Sequence, residues 1–317
     1  MVHRRHIVAL GVCVISLASW LGTPSARALA GGQGAIITGN PAPSPEQIHS
    51  LIARAIENQH RDDQALEEFE RTEHTLGHKG ENAGIDSDLT ERIVPSATGN
   101  IKLKLAENGV PVSADLYRTE LQFAVNALDL AMHPNDRYKE DLAKYDKRRH
   151  DHAELVDAAP KAFRVIWAGR ETRADPDGAH SPRTLMKFLL DPDPDYKPIN
   201  RFAASFQHVH ATLWLDEVDA QFARLEADIA TDITFGGGIA GKVYHGGHIM
   251  MVQEEVAPGI WLPTMYNYEV DGRKFLFAFG VHERTEITRY RRVGPPPQAV
   301  EIMRNELNNL TAATPAR

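Results

Sequence analysis

The feature that most constrains this fold is a series of strand-like segments between Phe163 and Val293, separated by Pro, Gly and Asp turns. Alternation is clearest in "FARLEADI", residues 222–229, and the same period recurs in "FLFAFGV", residues 275–281. A two-residue period indicates strands that bury one face. Short connections favour antiparallel pairing. We therefore predict an antiparallel sheet with one apolar face.

Helical patterns flank and interrupt these strands. Ser44 precedes "PEQIHSLIARAIENQ", a helix of about three turns, and residues 68–113 alternate and break like strands or hairpins. Two further helices are predicted at about 113–160, interrupted at "HPND", and a short one follows "GPPP". The predicted class is α+β, with one domain over 46–293, a helical insertion at about 113–160 and a C-terminal extension over 294–317.

The N-terminus has the pattern of a secretory signal peptide. A basic start precedes a 16-residue apolar run, 7–22, and small residues follow at Ala26, Ala28 and Ala30. The run is shorter than the roughly 20 residues that span a bilayer. We expect cleavage of residues 1–30, a flexible segment over 31–45, and a periplasmic or secreted protein that is not an integral membrane protein. Val12 before Cys13 argues against lipid attachment.

Charge and cysteine content exclude several classes of protein. The only cysteine lies in the predicted signal peptide, so disulfides and thiol chemistry are not expected in the mature chain. Removing residues 1–30 takes away three arginines and no acid, which moves the net charge from −8 to −11. An acidic chain is a poor general binder of nucleic acid, and we predict no nucleic-acid partner.

The C-terminal half resembles a known group of proteins. The strand end "LWLD" with "RLEA" after the turn, then "GIWLP" and "ITRYRRV", is similar in order and spacing to uncharacterised secreted bacterial proteins of the acidobacterial type. These resemble the LolA/LolB outer-membrane lipoprotein-sorting superfamily. Upstream, "LAENGVPVS" extends the resemblance to residues 47–293. The histidines and the extra C-terminal helix depart from the pattern of that group.

The resemblance implies a strongly curved antiparallel sheet, an incomplete barrel, whose apolar concave face is closed by helices around a lipid-sized cavity. An exported chain with an open apolar sheet face and no recognisable catalytic motif is predicted to be a non-catalytic envelope protein that binds a lipid, an acyl chain or a lipidated protein. An alternating face is also what an ordinary core shows. The predicted ligand-contacting residues are Leu213, Leu225, Ile229, Phe275, Phe277 and Phe279 on the apolar face, with Trp214 and Trp261 at its rim.

Histidines provide the main alternative function. His208 and His210 share a strand face and His245 and His248 share a predicted loop, so the four could bind zinc or copper if they converged. A chain with 15 histidines contains such pairs by chance, and no helical H-E-x-x-H supports them. We therefore predict no metal and no cofactor.

Other motifs favour structural interpretations. "GGGIAGKV", residues 236–243, has Val243 where a P-loop needs Ser or Thr, which favours a glycine-rich bend between strands. The calcium-like "DPDPDYKPINRF" lacks the glycine and the glutamate of such a loop. No activated nucleophile is recognisable, so we predict no catalytic residue. A third possibility is an envelope interaction scaffold that uses "LAKYDKRRHDHAELV" or the C-terminal helix.

Overall fold

The computed structural model describes residues 41–78, 85–173 and 182–312. The predicted signal peptide, 1–30, lies outside these residues, as does most of the predicted flexible segment, 31–45. In chain order the helices are α1 (Pro45–Leu66), α2 (Ala114–Asp129), α3 (Asp136–Ala162) and α4 (Pro296–Ala312). The strands are β1 (Phe69–Gly77), β2 (Ser87–Ser96), β3 (Gly99–Glu107), β4 (Val110–Pro111), β5 (Phe163–Arg173), β6 (Arg183–Pro192), β7 (Val209–Asp216), β8 (Phe222–Ile229), β9 (Ile233–Phe235), β10 (Gly241–Val243), β11 (His248–Ala257), β12 (Ile260–Lys274) and β13 (Phe277–Arg292).

One large sheet organises the described residues. Its order is β4-β3-β2-β1-β13-β12-β11-β8-β7-β6-β5, and the β9–β10 hairpin joins it through pairing of β10 with β12. Every pairing is antiparallel. The described part of the sheet is not closed into a barrel. The predicted α+β class with an antiparallel sheet is therefore confirmed.

Helix α1 begins at the predicted position and runs further than predicted. Ser44 caps it by accepting from the Gln47 backbone N–H, and the Gln47 side chain accepts from the Ser44 N–H. The helix has 22 residues. Its buried stripe of Leu51 and Ala55 continues with Gln59 and Asp62, so the apolar pattern stops before the helix does.

Helices cover both faces of the sheet. Leu51 and Ala55 of α1 pack with residues of β6 and β7, including Phe188 and Leu213, on what we call the α1 face. Helices α2 and α4 pack around Val94 and Leu103, which the strand register places on the opposite face. The sheet thus has two apolar layers, where the sequence pattern predicted one.

The segment between β4 and β5 consists of α2 and α3, with Pro134 in the connection. Asn135 caps α3 by accepting from the Tyr138 N–H at 2.8 Å. Pairs four residues apart, such as Lys147 with Asp151 at 2.6 Å, follow the exposed side of this charged helix. Within the described residues, no helix combines the length and the apolar character needed to span a bilayer.

Strand β7 begins later than the sequence pattern predicts. The segment "RFAASFQHVHATLWL", residues 201–215, is predicted to be a strand, but Ala203–His208 form a 3₁₀ helix and β7 begins at Val209. The Asn200 side chain accepts from the backbone N–H groups of Phe202 and Ala203, at 2.8 and 2.9 Å. This local turn competes with extension, because an Asn side chain offers the backbone an alternative partner.

Candidate functional site

The hairpin that joins β12 to β13 ends in exposed apolar residues. Lys274 pairs with Phe277, so Phe275 and Leu276 form a two-residue turn. The exposed fractions are 53% for Phe275, 94% for Leu276 and 79% for Phe277. Three consecutive large apolar side chains therefore lie in solvent at one point of the molecule.

The backbone of this turn is unfavourable for its sequence. Phe275 has φ 53°, in the left-handed region. Two-residue hairpin turns with positive φ favour Gly, Asn or Asp, because a Cβ is crowded in this conformation. A phenylalanine here costs roughly 1 kcal/mol or more relative to glycine. Neither turn geometry nor core packing explains its presence.

A second hairpin lies beside the first. Gly241 and Lys242 of β10 pair with Lys274 and Arg273 of β12. The β9–β10 turn contains Gly236–Gly238, with φ values of 58°, 64° and 84°, and Ile239 is 78% exposed. This is the predicted glycine-rich bend between strands. We call residues 236–240 and 275–277 together the two-hairpin tip.

Arg273 fixes the two turns to each other. Its guanidinium donates to the Gly238 carbonyl at 2.9 Å and to the Phe275 carbonyl at 2.9 Å. The Phe275 N–H donates to the Ala240 carbonyl at 3.2 Å. The backbones of the two turns are therefore held next to each other.

The tip lies where β12 runs past β11. The last β12 residue that pairs with β11 is Glu269, opposite His248. The five residues 270–274 carry β12 about 17 Å further at roughly 3.4 Å each, and β10 pairs with the last three of them. On the other side, the last described pair of β13 with β1 is Glu283 with Gly77, and the His78 ring lies 5.5 Å from the His282 ring.

The strand segments directly behind the tip are basic in an acidic chain. Segments 233–243 and 272–280 contain Lys242, Arg273 and Lys274 and no acid, whereas the whole chain has a net charge of −8. Asp232, just outside, pairs with Lys242 at 2.5 Å. Hydrogen bonds from Lys242 and from the His245 backbone hold the pKa of the Asp232 carboxyl well below its usual range.

The structure separates the residues of the predicted apolar face. Leu213 lies directly opposite Leu225 on the α1 face, and both pack beneath α1. Ile229 and Phe279 belong to a neighbouring cluster around Val270 and Val281. These four residues contribute to the core beneath the sheet.

Phe275 and Phe277 do not join that core, which corrects the predicted common face. Phe277 follows the same alternation as Phe279 and Val281, but it is the first residue of β13, next to the turn, and it does not belong to the cluster that holds Phe279 and Val281. Phe275 lies in the turn itself. Alternation shows which way a side chain points and does not show whether another layer covers it.

Trp214 and Trp261 are buried, which differs from the predicted rim positions. They form a small cluster with Leu185 and Ala223. The Lys187 ammonium and the Arg224 guanidinium lie 4.9 and 5.1 Å from the Trp214 ring centroid. Cations at this distance stabilise the ring and cover it.

The sequence analysis missed a buried polar cluster between β1, β12 and β13. Arg71 and Glu73 form a buried ion pair at 2.8 Å. Burial raises the pKa of Tyr266 and of Tyr290 far above the usual value, against the lowering effect of Arg71. The Tyr290 hydroxyl donates to the Pro263 carbonyl at 2.6 Å. The sequence feature that could have indicated this cluster is that Arg71 and Glu73, two residues apart in a strand, share one face of it.

Polar residues on α1 extend this interior polarity. Asp62 is 1% exposed, and burial raises the pKa of its carboxyl to about 6, opposed by Arg61 and by the Trp261 backbone N–H. Gln59 donates to Asp63 at 2.8 Å, and Gln253 donates to Gln59 at 3.1 Å. Gln253, Gln59 and Asp63 thus form one hydrogen-bonded chain, and no nucleophile paired with a base is evident among these described residues.

The four histidines of the metal alternative bind separate partners. The Nδ1 atoms of His208, His210, His245 and His248 lie 2.8 to 2.9 Å from Thr231, Asp191, Asp232 and Asp228 respectively. In the described part of the chain, no group of three or more His, Cys, Asp or Glu residues is arranged to hold a metal ion. This arrangement gives the metal alternative no geometric support.

The C-terminal helix forms one wall of an open groove of about 530 Å³. Glu306 in this groove accepts from Arg92 and from the Tyr117 hydroxyl at 2.7 to 2.9 Å. Burial tends to raise the pKa of the Glu306 carboxyl, but these bonds outweigh burial and lower the pKa. The carboxylate is thus used within the fold.

Comparison with known protein families, with curated proteins and with solved structures finds no match to this chain. What the chain does has therefore to be argued from its own geometry, and the two-hairpin tip is the most distinctive feature of that geometry.

Proposed function

We propose that this chain is a non-catalytic binding protein of the cell envelope or the secreted fraction, which engages a hydrophobic group at the two-hairpin tip. The ligand class is a lipid, an acyl chain or the lipid of a lipidated protein. The observation that carries the proposal is the exposure of Phe275, Leu276 and Phe277 at the end of a projecting hairpin.

Energetics favour a partner for these side chains. Leaving a Phe or Leu in water in place of burying it forgoes about 1.5 to 3 kcal/mol per residue. Exposed apolar patches on proteins mark interaction sites, whereas single exposed apolar residues are common. Phe275, Leu276, Phe277 and Ile239 lie on two adjoining turns held together by Arg273, so they form a patch.

The proposal keeps the ligand class that the LolA/LolB resemblance implies and moves the contact to the tip. The resemblance also implies an incomplete barrel with a cavity, and that implication stays a hypothesis. Leu213 and Leu225 pack against α1 in the manner of a core, which favours the tip over the predicted apolar face as the contact surface.

Displacement of a fluorescent fatty-acid probe tests the proposal. Wild type should bind the probe, and Leu276→Ser and Phe277→Ser should weaken binding at least tenfold while leaving thermal unfolding nearly unchanged. Phe123→Ser is the matched control, because Phe123 is 66% exposed on α2 and lies outside the tip. Equal probe binding by all four proteins, or no binding by wild type, would contradict the proposal.

A further inference from the structure

A cationic layer lies directly behind the apolar two-hairpin tip. Lys274 immediately precedes Phe275, and Arg273 pairs across the strands with Lys242. At roughly 3.4 Å per residue, these cations lie about 3 to 7 Å behind the apolar turn. Charged headgroups above acyl chains have the same order and a comparable depth.

We infer that the two-hairpin tip inserts into the surface of a bilayer that contains anionic phospholipids. This inference rests on the proposed function and specifies its ligand as lipid in a bilayer, with negatively charged headgroups. Phe275, Leu276, Phe277 and Ile239 enter the boundary of the acyl chains. Lys242, Arg273 and Lys274 contact the headgroup phosphates.

Charge complementarity selects the anionic surface. Segments 233–243 and 272–280 hold three basic residues and no acid, with Asp232 and Asp271 directly before them, in a chain with a net charge of −8. Such a chain is repelled from an anionic surface in most orientations and attracted with its basic end foremost. Arg273 uses its guanidinium on two carbonyl groups, which leaves its charge in place. Asp232 offsets Lys242 in part.

The shape of the tip favours a bilayer over a protein pocket. The apolar side chains come from two turns at the end of a strand pair that runs about 17 Å past β11, so among the described residues they form an exposed point of the molecule. A fluid acyl layer accepts such a point without a complementary cavity. The left-handed φ of 53° at Phe275 adds a third observation, because the chain keeps an apolar residue where glycine fits better.

Vesicle co-sedimentation tests the inference with the full mature chain. The probes are phosphatidylcholine vesicles with and without phosphatidylglycerol, at low and high salt. Wild type should bind the anionic vesicles at least tenfold more tightly than the neutral ones, and salt should reduce that preference. Lys242→Gln with Lys274→Gln should weaken anionic binding by roughly ten- to thirtyfold.

Two controls separate the possible outcomes. Lys139→Gln with Lys147→Gln changes the net charge equally on α3 and should leave vesicle binding unchanged. Leu276→Ser should reduce binding to both kinds of vesicle, and circular dichroism verifies that each variant is folded. Equal binding to neutral and anionic vesicles, or binding of the fatty-acid probe without vesicle binding, overturns the inference and leaves the proposed function standing. Absence of both kinds of binding overturns both.

Discussion

Nη1 of Arg273 donates a hydrogen bond of 2.9 Å to the carbonyl oxygen of Phe275. The bond holds a left-handed phenylalanine at the end of a projecting hairpin, while the same guanidinium holds the neighbouring glycine turn through Gly238. The most exposed apolar segment of the described chain is thus braced by specific hydrogen bonds. Bracing of this kind is expected of a surface that must keep its shape while it binds.

Phe275→Gly should separate stability from binding. Glycine relieves the left-handed strain at φ 53° but adds chain entropy to the unfolded state. After both effects are counted, the free energy of unfolding should rise by about 0.5 to 1 kcal/mol. Binding to anionic vesicles should fall several-fold. Denaturant unfolding and co-sedimentation measure the two effects. A variant that is both less stable and fully able to bind lipid contradicts the assignment.

Phe277→Ala and Leu213→Ala should behave in opposite ways. Phe277 is 79% exposed, so its truncation should leave stability within about 0.5 kcal/mol of wild type and weaken probe binding. Leu213 is buried beneath α1, so its truncation should cost about 2 to 5 kcal/mol. Thermal unfolding measures the change in stability, and displacement of the fluorescent fatty-acid probe measures the change in binding. If Leu213→Ala instead loses probe binding at little cost in stability, the ligand contact lies on the α1 face.

Asp62→Asn should stabilise the protein at neutral pH. Burial raises the pKa of the Asp62 carboxyl from 3.8 to about 6, so the folded state holds a proton that the unfolded state releases between those values. Stability therefore falls as pH rises through this window, and the penalty is complete above it. Asparagine removes this penalty, so the free energy of unfolding at neutral pH should rise by about 2 to 3 kcal/mol.

The test for Asp62 is denaturant unfolding of both proteins at several pH values. The advantage of Asp62→Asn should be largest near neutral pH and smallest below about pH 4. Asp63→Asn serves as the neighbouring control. In that variant the Asp63 carboxylate, which lies 3.0 Å from His152, is replaced by an amide, so the ion pair with His152 is lost. A stability difference that does not change with pH would show that the Asp62 carboxyl titrates normally.

Glu269→Gln should destabilise the protein more in mild acid than in base. Burial lowers the pKa of His282, but hydrogen bonds to Glu269 and Asp271 outweigh burial and raise it above 6.5. The stabilisation by protonated His282 is therefore complete below the pKa of His282 in the unfolded state and is lost as pH rises through its pKa in the folded state. In mild acid, Glu269→Gln should lower the free energy of unfolding by roughly 1 to 2 kcal/mol. Asp191→Asn, at the exposed pair with His210, should have a much smaller effect.

The sequence by itself determined most of the local structure. Ser44 and Gln47 define the start of α1 through a capping box, Pro134 separates α2 from α3, and the glycines at 236–238 supply positive φ in the β9–β10 turn. Alternation identified Leu213, Leu225 and Ile229 as inward-facing. These features depend on residues close together in the chain, so a local pattern contains the information.

Only the tertiary structure decided which apolar residues are covered. Phe277 and Phe279 follow one alternation, yet Phe279 packs against a cluster that includes Phe235 and Val243 of the β9–β10 hairpin, whereas Phe277, at the end of β13 next to the turn, lies in solvent. The buried pair of Arg71 and Glu73 likewise depends on the strands and helices that surround it. Burial is set by contacts between distant segments, and alternation along a strand fixes direction without fixing what lies in that direction.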